Sequence, residues 1–121
     1  MKSDCALRPR RGEIWLVNLD PTIGDEIKKT RPCLVINSDS IGKLRLKLIA
    51  PLTNWRSVFK DNLWHVRIEP NKENGLNKIS AIDVLQLRGV DLNRMINKIG
   101  RITATQMEEV VTTIALVIEY R

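Results

Sequence analysis

From Glu13 to Ile102 the apolar residues come only in short runs, each closed by proline, glycine, asparagine or aspartate, and none of them keeps a helical period. A chain written this way cannot build a helical bundle. It predicts a set of short strands. Glu13-Ile14-Trp15-Leu16-Val17-Asn18-Leu19 is apolar at nearly every position, which predicts a largely buried strand stopped by Asp20-Pro21-Thr22. Gly24 to Thr30 reads as a charged loop, and Arg31-Pro32 leads into a second strand, Cys33 to Asn37. Pro32 biases Arg31 towards an extended backbone, so Arg31 is expected at a fixed strand entry.

The later segments follow the same logic. Leu44 to Pro51 alternates, with Leu44, Leu46, Leu48 and Ala50 expected on the core face and Arg45 and Lys47 on a basic outer face. A polar loop runs from Asn54 to Asn62; Trp64 to Glu69, Ile79 to Leu87 and Asn97 to Ile102 read as strands, and Asp91 to Met95 as one helical turn capped by Asp91. Only then does the period change. Met107, Val110, Val111, Ile114 and Ile118 recur at helical spacing behind a capping box at Thr103-Ala104-Thr105-Gln106, with Thr105 and Glu108 as a second register. Short strands followed by one amphipathic helix predict a small, strongly twisted barrel with a covering helix.

At 121 residues the chain supports one core, with residues 1–10 expected as a flexible tail and 11–121 as a single domain. A formal charge of +6 on so small a body favours an acidic partner, nucleic acid before an anionic membrane, although solubility alone is the rival explanation. Two cysteines, Cys5 and Cys33, do not make a disulfide framework, and Cys33 reads as a buried small hydrophobe. No apolar stretch is long enough to span a membrane, and Met1 to Pro9 holds no hydrophobic region of signal-peptide length, so a cytoplasmic site of action is expected.

The chemistry-bearing motifs that are missing narrow the function. There is no Walker loop, no GxGxxG, no paired CxxC and no HExxH. One imidazole, His65, makes a poor metal site and is expected to serve as a hydrogen-bonding strand residue. Catalysis here would rest on carboxylate, hydroxyl and guanidinium groups.

Arg11-Gly12-Glu13-Ile14-Trp15 through Leu19-Asp20-Pro21-Thr22, then Gly24-Asp25-Glu26 and Thr30-Arg31-Pro32-Cys33-Leu34-Val35-Ile36, resemble the opening of the MazF/PemK-type toxins. Ala50-Pro51-Leu52-Thr53, His65-Val66, Gln86-Leu87-Arg88-Gly89-Val90-Asp91 and Ile99-Gly100-Arg101-Ile102 continue the likeness in order. It extends from Arg11 to the C-terminus.

The resemblance implies a mainly β fold with a C-terminal helix, an SH3-like small barrel of about five to seven strands. It implies the toxin of a type II toxin–antitoxin system, a homodimer held by a cognate acidic antitoxin. The implied reaction is sequence-specific cleavage of single-stranded mRNA without a metal or other cofactor, by attack of the 2′-hydroxyl on the scissile phosphate. Arg31 matches the family's catalytic arginine, whose forked, permanently charged guanidinium suits a phosphorane. Thr53 matches its hydroxyl residue, either a phosphate ligand or a turn threonine. Glu26 matches its loop carboxylate, either a general base or a loop anchor.

RNA contacts are expected from Asp25, Lys28, Lys29, Asn54, Trp55, Arg56, Lys60, Asp83 and Gln86, with Arg45 and Lys47 as further basic residues. Trp55 either stacks on an unpaired base or folds back over the barrel. Trp15 and Trp64 read as core or dimer-interface residues. The chain departs from the family where an acidic residue often precedes the glutamine: Leu85 stands there, and Asp83, on the same strand face by period two, is its possible substitute. The rival functions are a gyrase-poisoning toxin resembling CcdB and a non-catalytic barrel that binds RNA or peptide.

Overall fold

A computed structural model describes residues 8–41 and 44–120. Seven strands and one helix follow in order: β1 Glu13–Asn18, β2 Thr30–Val35, β3 Leu46–Asn54, β4 His65–Ile68, β5 Ser80–Asp83, β6 Arg88–Asp91, β7 Met95–Arg101 and α1 Ala104–Val117. The sheet runs β4-β5-β3-β2-β1-β7, with β6 joined to β3 and every pairing antiparallel. The mainly β small-barrel expectation is met, and so is the C-terminal helix. Cys5 lies outside the described residues, as does most of the expected tail; at its end Pro9 is buried and the Arg10 amide donates to Glu13 Oε1 at 2.9 Å.

β1 is apolar on both faces because both faces are covered. Ile14 packs with Leu34, Ala50, Leu52, Val66 and Ile82 beneath Met107 and Val110 of α1. Trp15, Val17 and Leu19 join Cys33, Val35, Ile49, Val90 and Leu92 on the opposite face. Each such aliphatic side chain contributes about 1.5–3 kcal/mol when fully buried. α1 starts where the first capping register predicts, with the Thr103 hydroxyl accepting from Gln106 N and Gln106 Oε1 accepting from Thr103 N. It ends at Val117, so Ile118 is 68% exposed and not part of the apolar stripe.

Three local expectations change. β2 begins at Thr30, earlier than Cys33, because Arg31 and Pro32 already pair with Val17 and Leu16. The alternation in β3 is real, but only Ala50 and Leu52 reach the core under α1; Leu44, Leu46 and Leu48 extend past it and are exposed. The expected strand Ile79 to Leu87 is cut after Asp83 by a 3-10 turn, Val84–Gln86, whose Leu85 amide bends back onto the Asp83 carboxylate. The Asp91-capped turn forms as expected over Leu92–Arg94.

Gly100 is a packing requirement. A Cβ there would lie 2.4 Å from the carbonyl carbon of Asn74, whose own side chain is fully buried and bonded to Glu69 O, Asn71 N and Leu76 N.

Candidate nucleic-acid interface

The sheet face away from α1 is apolar only over part of its length. Past the end of the second cluster, the pairing register lays polar residues side by side. Cys33 pairs with Pro51, and His65 with Asp83. One step further along, Thr53 pairs with Ala81 and Ala81 with Arg67. Continuing the β2–β3 ladder two residues past its last pair sets Arg31 opposite Thr53. Partners in an antiparallel ladder share a face. The row Arg31, Thr53, Ala81, Arg67 therefore sets two arginines and a threonine on one face, next to a row that ends in Asp83 and His65.

A cavity of about 690 Å³ opens beside these rows, lined by Pro21, Ile23, Asp25, Glu26 and Ile27 from the β1–β2 loop and by Pro51, Trp64, Asp83, Leu85, Gln86, Leu87 and Arg88. Of the three residues expected to be catalytic, Glu26 is in the lining; Arg31 and Thr53 belong to the adjoining row. Arg31 reaches the same loop, where its Nε donates to Lys28 O at 3.4 Å.

The loop is held by a ring of polar contacts. Leu19 N donates to Lys29 O, and Lys29 N to Asp20 Oδ1 at 3.0 Å. Arg88 Nη1 donates to Leu19 O at 3.2 Å, and Arg94 Nη1 to Asn18 O and Asp20 O. Gly24, at φ +60, makes the turn that lets Glu26 Oε1 accept from Ile23 N at 2.7 Å. Glu26 is thus a loop anchor in geometry and is also one of the residues that line the cavity. Lys28 and Lys29 are exposed on the loop.

Asp83 and Leu85 do not share a strand face. The 3-10 turn breaks the period of two, leaving Leu85 60% exposed while Asp83 is 7% exposed. Its Oδ2 lies 3.5 Å from His65 Nε2. The Asn62 carboxamide nitrogen lies 3.2 Å from His65 Nδ1, so both ring nitrogens have a polar neighbour. Burial pushes the Asp83 carboxyl up, against the pull of His65 and the Leu85 and Gln86 amides. Burial also pushes the Cys33 thiol up to about 12, despite nearby Arg88, so it is an inert core residue.

Trp55 folds back onto its neighbours: Phe59 meets it edge-on at 5.9 Å and the Arg67 guanidinium lies 5.7 Å from its ring centre. Phe59 in turn stacks on His65 at 3.9 Å. Trp55 is still half-exposed, as Phe59 is, and Arg56 sits over the Phe59 ring while Asn54 and Lys60 are exposed. Arg45 is turned to Asp91 and Asn93 at the start of β3. It and Lys47 stand at most roughly 26 and 20 Å along the strand from Thr53. The sequence reading missed Arg67 and Arg88; their only signal was alternation with apolar neighbours, which marks any solvent-facing strand residue.

Residues 10–118 match the family of PemK-like, MazF-like toxins of type II toxin–antitoxin systems. This chain belongs to that family. Among curated PemK/MazF relatives, the endoribonuclease MazF of Staphylococcus saprophyticus is 33% identical over 101 residues, covering 84% of this chain and 83% of that protein. The fold agrees with MazF from Deinococcus radiodurans at a TM-score of 0.77 and 21% identity, over 93% of this chain and 98% of that one. A mycobacterial endoribonuclease in complex with its cognate antitoxin matches at a TM-score of 0.74 and 14% identity, over 94% and 98%. Among the described residues of this PemK/MazF chain, no three His, Cys, Asp or Glu side chains come together to hold a metal ion, and no helix is long and apolar enough to cross a membrane.

Proposed function

We propose that this chain is the toxin of a type II toxin–antitoxin pair and cleaves single-stranded RNA by internal transesterification. The 2′-hydroxyl attacks the adjacent phosphorus, and the 5′-oxygen leaves. In this reading Arg31 stabilises the charge that builds on the phosphorane, Thr53 hydrogen-bonds a non-bridging oxygen, and Glu26 takes the 2′-hydroxyl proton. Asp25, Lys28, Lys29, Asn54, Arg56 and Lys60 line the path of the strand beside them, and Trp55 offers its open face to a base.

The observation that carries the reading is the cross-strand row Arg31, Thr53, Ala81, Arg67 beside a cavity that Glu26 enters. Two arginines that share a sheet face with a hydroxyl suit a phosphodiester; they suit neither a neutral substrate nor a cationic one. The names of the endoribonuclease relatives support the same reaction, and the antitoxin-bound mycobacterial neighbour supports the same kind of partner. An acidic antitoxin segment would fill the basic row and exclude RNA. A second copy of the chain would cover Leu46 and Leu48, exposed on the leading end of β3. The reaction is assigned to the cytoplasm, where mRNA is found.

Incubating the purified chain with a long RNA in EDTA and mapping the ends tests this directly. Cuts at recurring short motifs, leaving a cyclic phosphate, are expected. Intact RNA, or cutting only after a divalent cation is restored, would defeat the proposal.

A further inference from the structure

Gln86 lies 59 residues from Ile27 in sequence, yet its side chain grips the backbone on both sides of Glu26: Oε1 accepts from Ile27 N at 2.6 Å and Nε2 donates to Asp25 O at 3.0 Å. These are the two bonds a neighbouring parallel strand would make to residue 26, here supplied by one carboxamide. Among uncharged side chains only the carboxamides of glutamine and the shorter asparagine carry a donor and an acceptor on one carbon. The grip has its own support. Asp83 accepts from Leu85 N at 3.1 Å, fixing the 3-10 turn that carries Gln86, and Asp83 is held in turn by His65 under the Phe59 ring.

We propose that Gln86 is a positioning residue that acts through Glu26: it does not read the RNA but sets the β1–β2 loop so that the Glu26 carboxylate faces the cavity. This rests on the ribonuclease reading for what Glu26 does there. Both polar ends of the carboxamide are already committed to the loop, so Gln86 has little left with which to recognise a base. The loop has no strand partner at residues 25–27, and the carboxamide replaces one. A displacement of about 1 Å in a reacting group can cost about a hundredfold in rate.

The test uses Gln86→Leu, which keeps the shape and removes both bonds, and Gln86→Glu, which keeps the acceptor for Ile27 but loses the donor to Asp25. Two readouts are taken: amide hydrogen exchange at Ile27 by NMR, and kcat and KM on a single-stranded RNA that the native chain cuts. Q86L should speed exchange at Ile27 by at least about tenfold and lower kcat by roughly ten- to a hundredfold, with KM and the cut sites unchanged. In a Glu26→Gln background Q86L should cost nothing further, because the carboxylate it positions is gone.

Additive losses in the double variant, unchanged exchange at Ile27, or a shifted cut-site pattern would each overturn the proposal. If Q86L does not fold, Q86E carries the test: Ile27 stays protected, kcat falls, and the loss again disappears in the E26Q background. If the native chain leaves RNA intact while Q86L frees the Ile27 amide, the ribonuclease reading fails and the grip stands. If the native chain and a folded Q86L cut equally well, only the positioning role fails.

Discussion

His65 and Asp83 face each other across the β4–β5 ladder, with Nε2 and Oδ2 3.5 Å apart and both side chains almost shut off from water. Phe59 covers the imidazole and the Asn62 amide lies 3.2 Å from its Nδ1. The pair occupies the end of the row next to Arg31 and Thr53, where a solvated acid would compete with phosphate for the guanidinium groups. Asp83, which also lines the cavity, is turned towards His65.

Because burial raises Asp83 above the ordinary carboxylate value, the folded chain holds this proton more tightly than the unfolded chain does. The stability it contributes is full below the unfolded value of about 3.9 and is lost as pH rises through the higher folded value. Asp83→Asn carries no charge at any pH. Its stability relative to the native chain should therefore rise as pH climbs out of the carboxylate range, read as paired urea midpoints along a pH series. Curves that run parallel, or diverge the other way, would contradict the assignment.

The two arginines of the central row should fail differently. Arg31→Ala should cost about 10²–10³ in kcat on RNA, the loss typical of one transition-state donor, with the far-UV spectrum unchanged. Arg67 also leans on Glu69 at 3.1 Å and on Trp55, and is proposed as a phosphate contact away from the reacting atoms. Arg67→Ala should weaken binding and flatten the salt dependence of KM by about 0.7 in log–log slope. Equal kcat losses in the two variants would erase the distinction.

Glu13 ties the start of β1 to β7. Its burial favours the neutral acid, but Trp15 Nε1 and Arg10 N, each donating at 2.9 Å, and Lys98 Nζ at 3.1 Å together outweigh this and lower its pKa. A lowered value means stability that is present above the unfolded pKa of about 4.3 and lost as pH falls through the folded one. Glu13→Gln should destabilise the chain by about 1–3 kcal/mol near neutral pH and by progressively less in acid. Thermal melts between neutral pH and about pH 3 would show it; a constant difference across that range would not fit.

Much of the fold was written locally. The two-faced apolar run of β1, the Thr103–Gln106 capping box and the Asp91-capped turn depend on residues a few positions apart, and each formed where the sequence placed it. The motif from Arg11 to Ile36 carried the family. The exposure of Leu44, Leu46 and Leu48 was not legible, because alternation shows which residues share a face and not how far the covering helix extends. The same limit hid the fate of Asp83, since period two holds only while the strand continues.

The amino-acid sequence alone determined the strand-then-helix plan and the positive charge, and its family resemblance pointed to Arg31, Thr53 and Glu26 as the groups to watch. Tertiary structure decided that Arg67 joins Arg31 and Thr53 in one row, that Asp83 turns to His65, and that Gln86 reaches back 59 residues to the loop. The reason is physical. Caps and periods arise from neighbours along the chain, whereas rows and grips arise from the pairing register of distant strands, which is settled only when the whole sheet closes over its two cores.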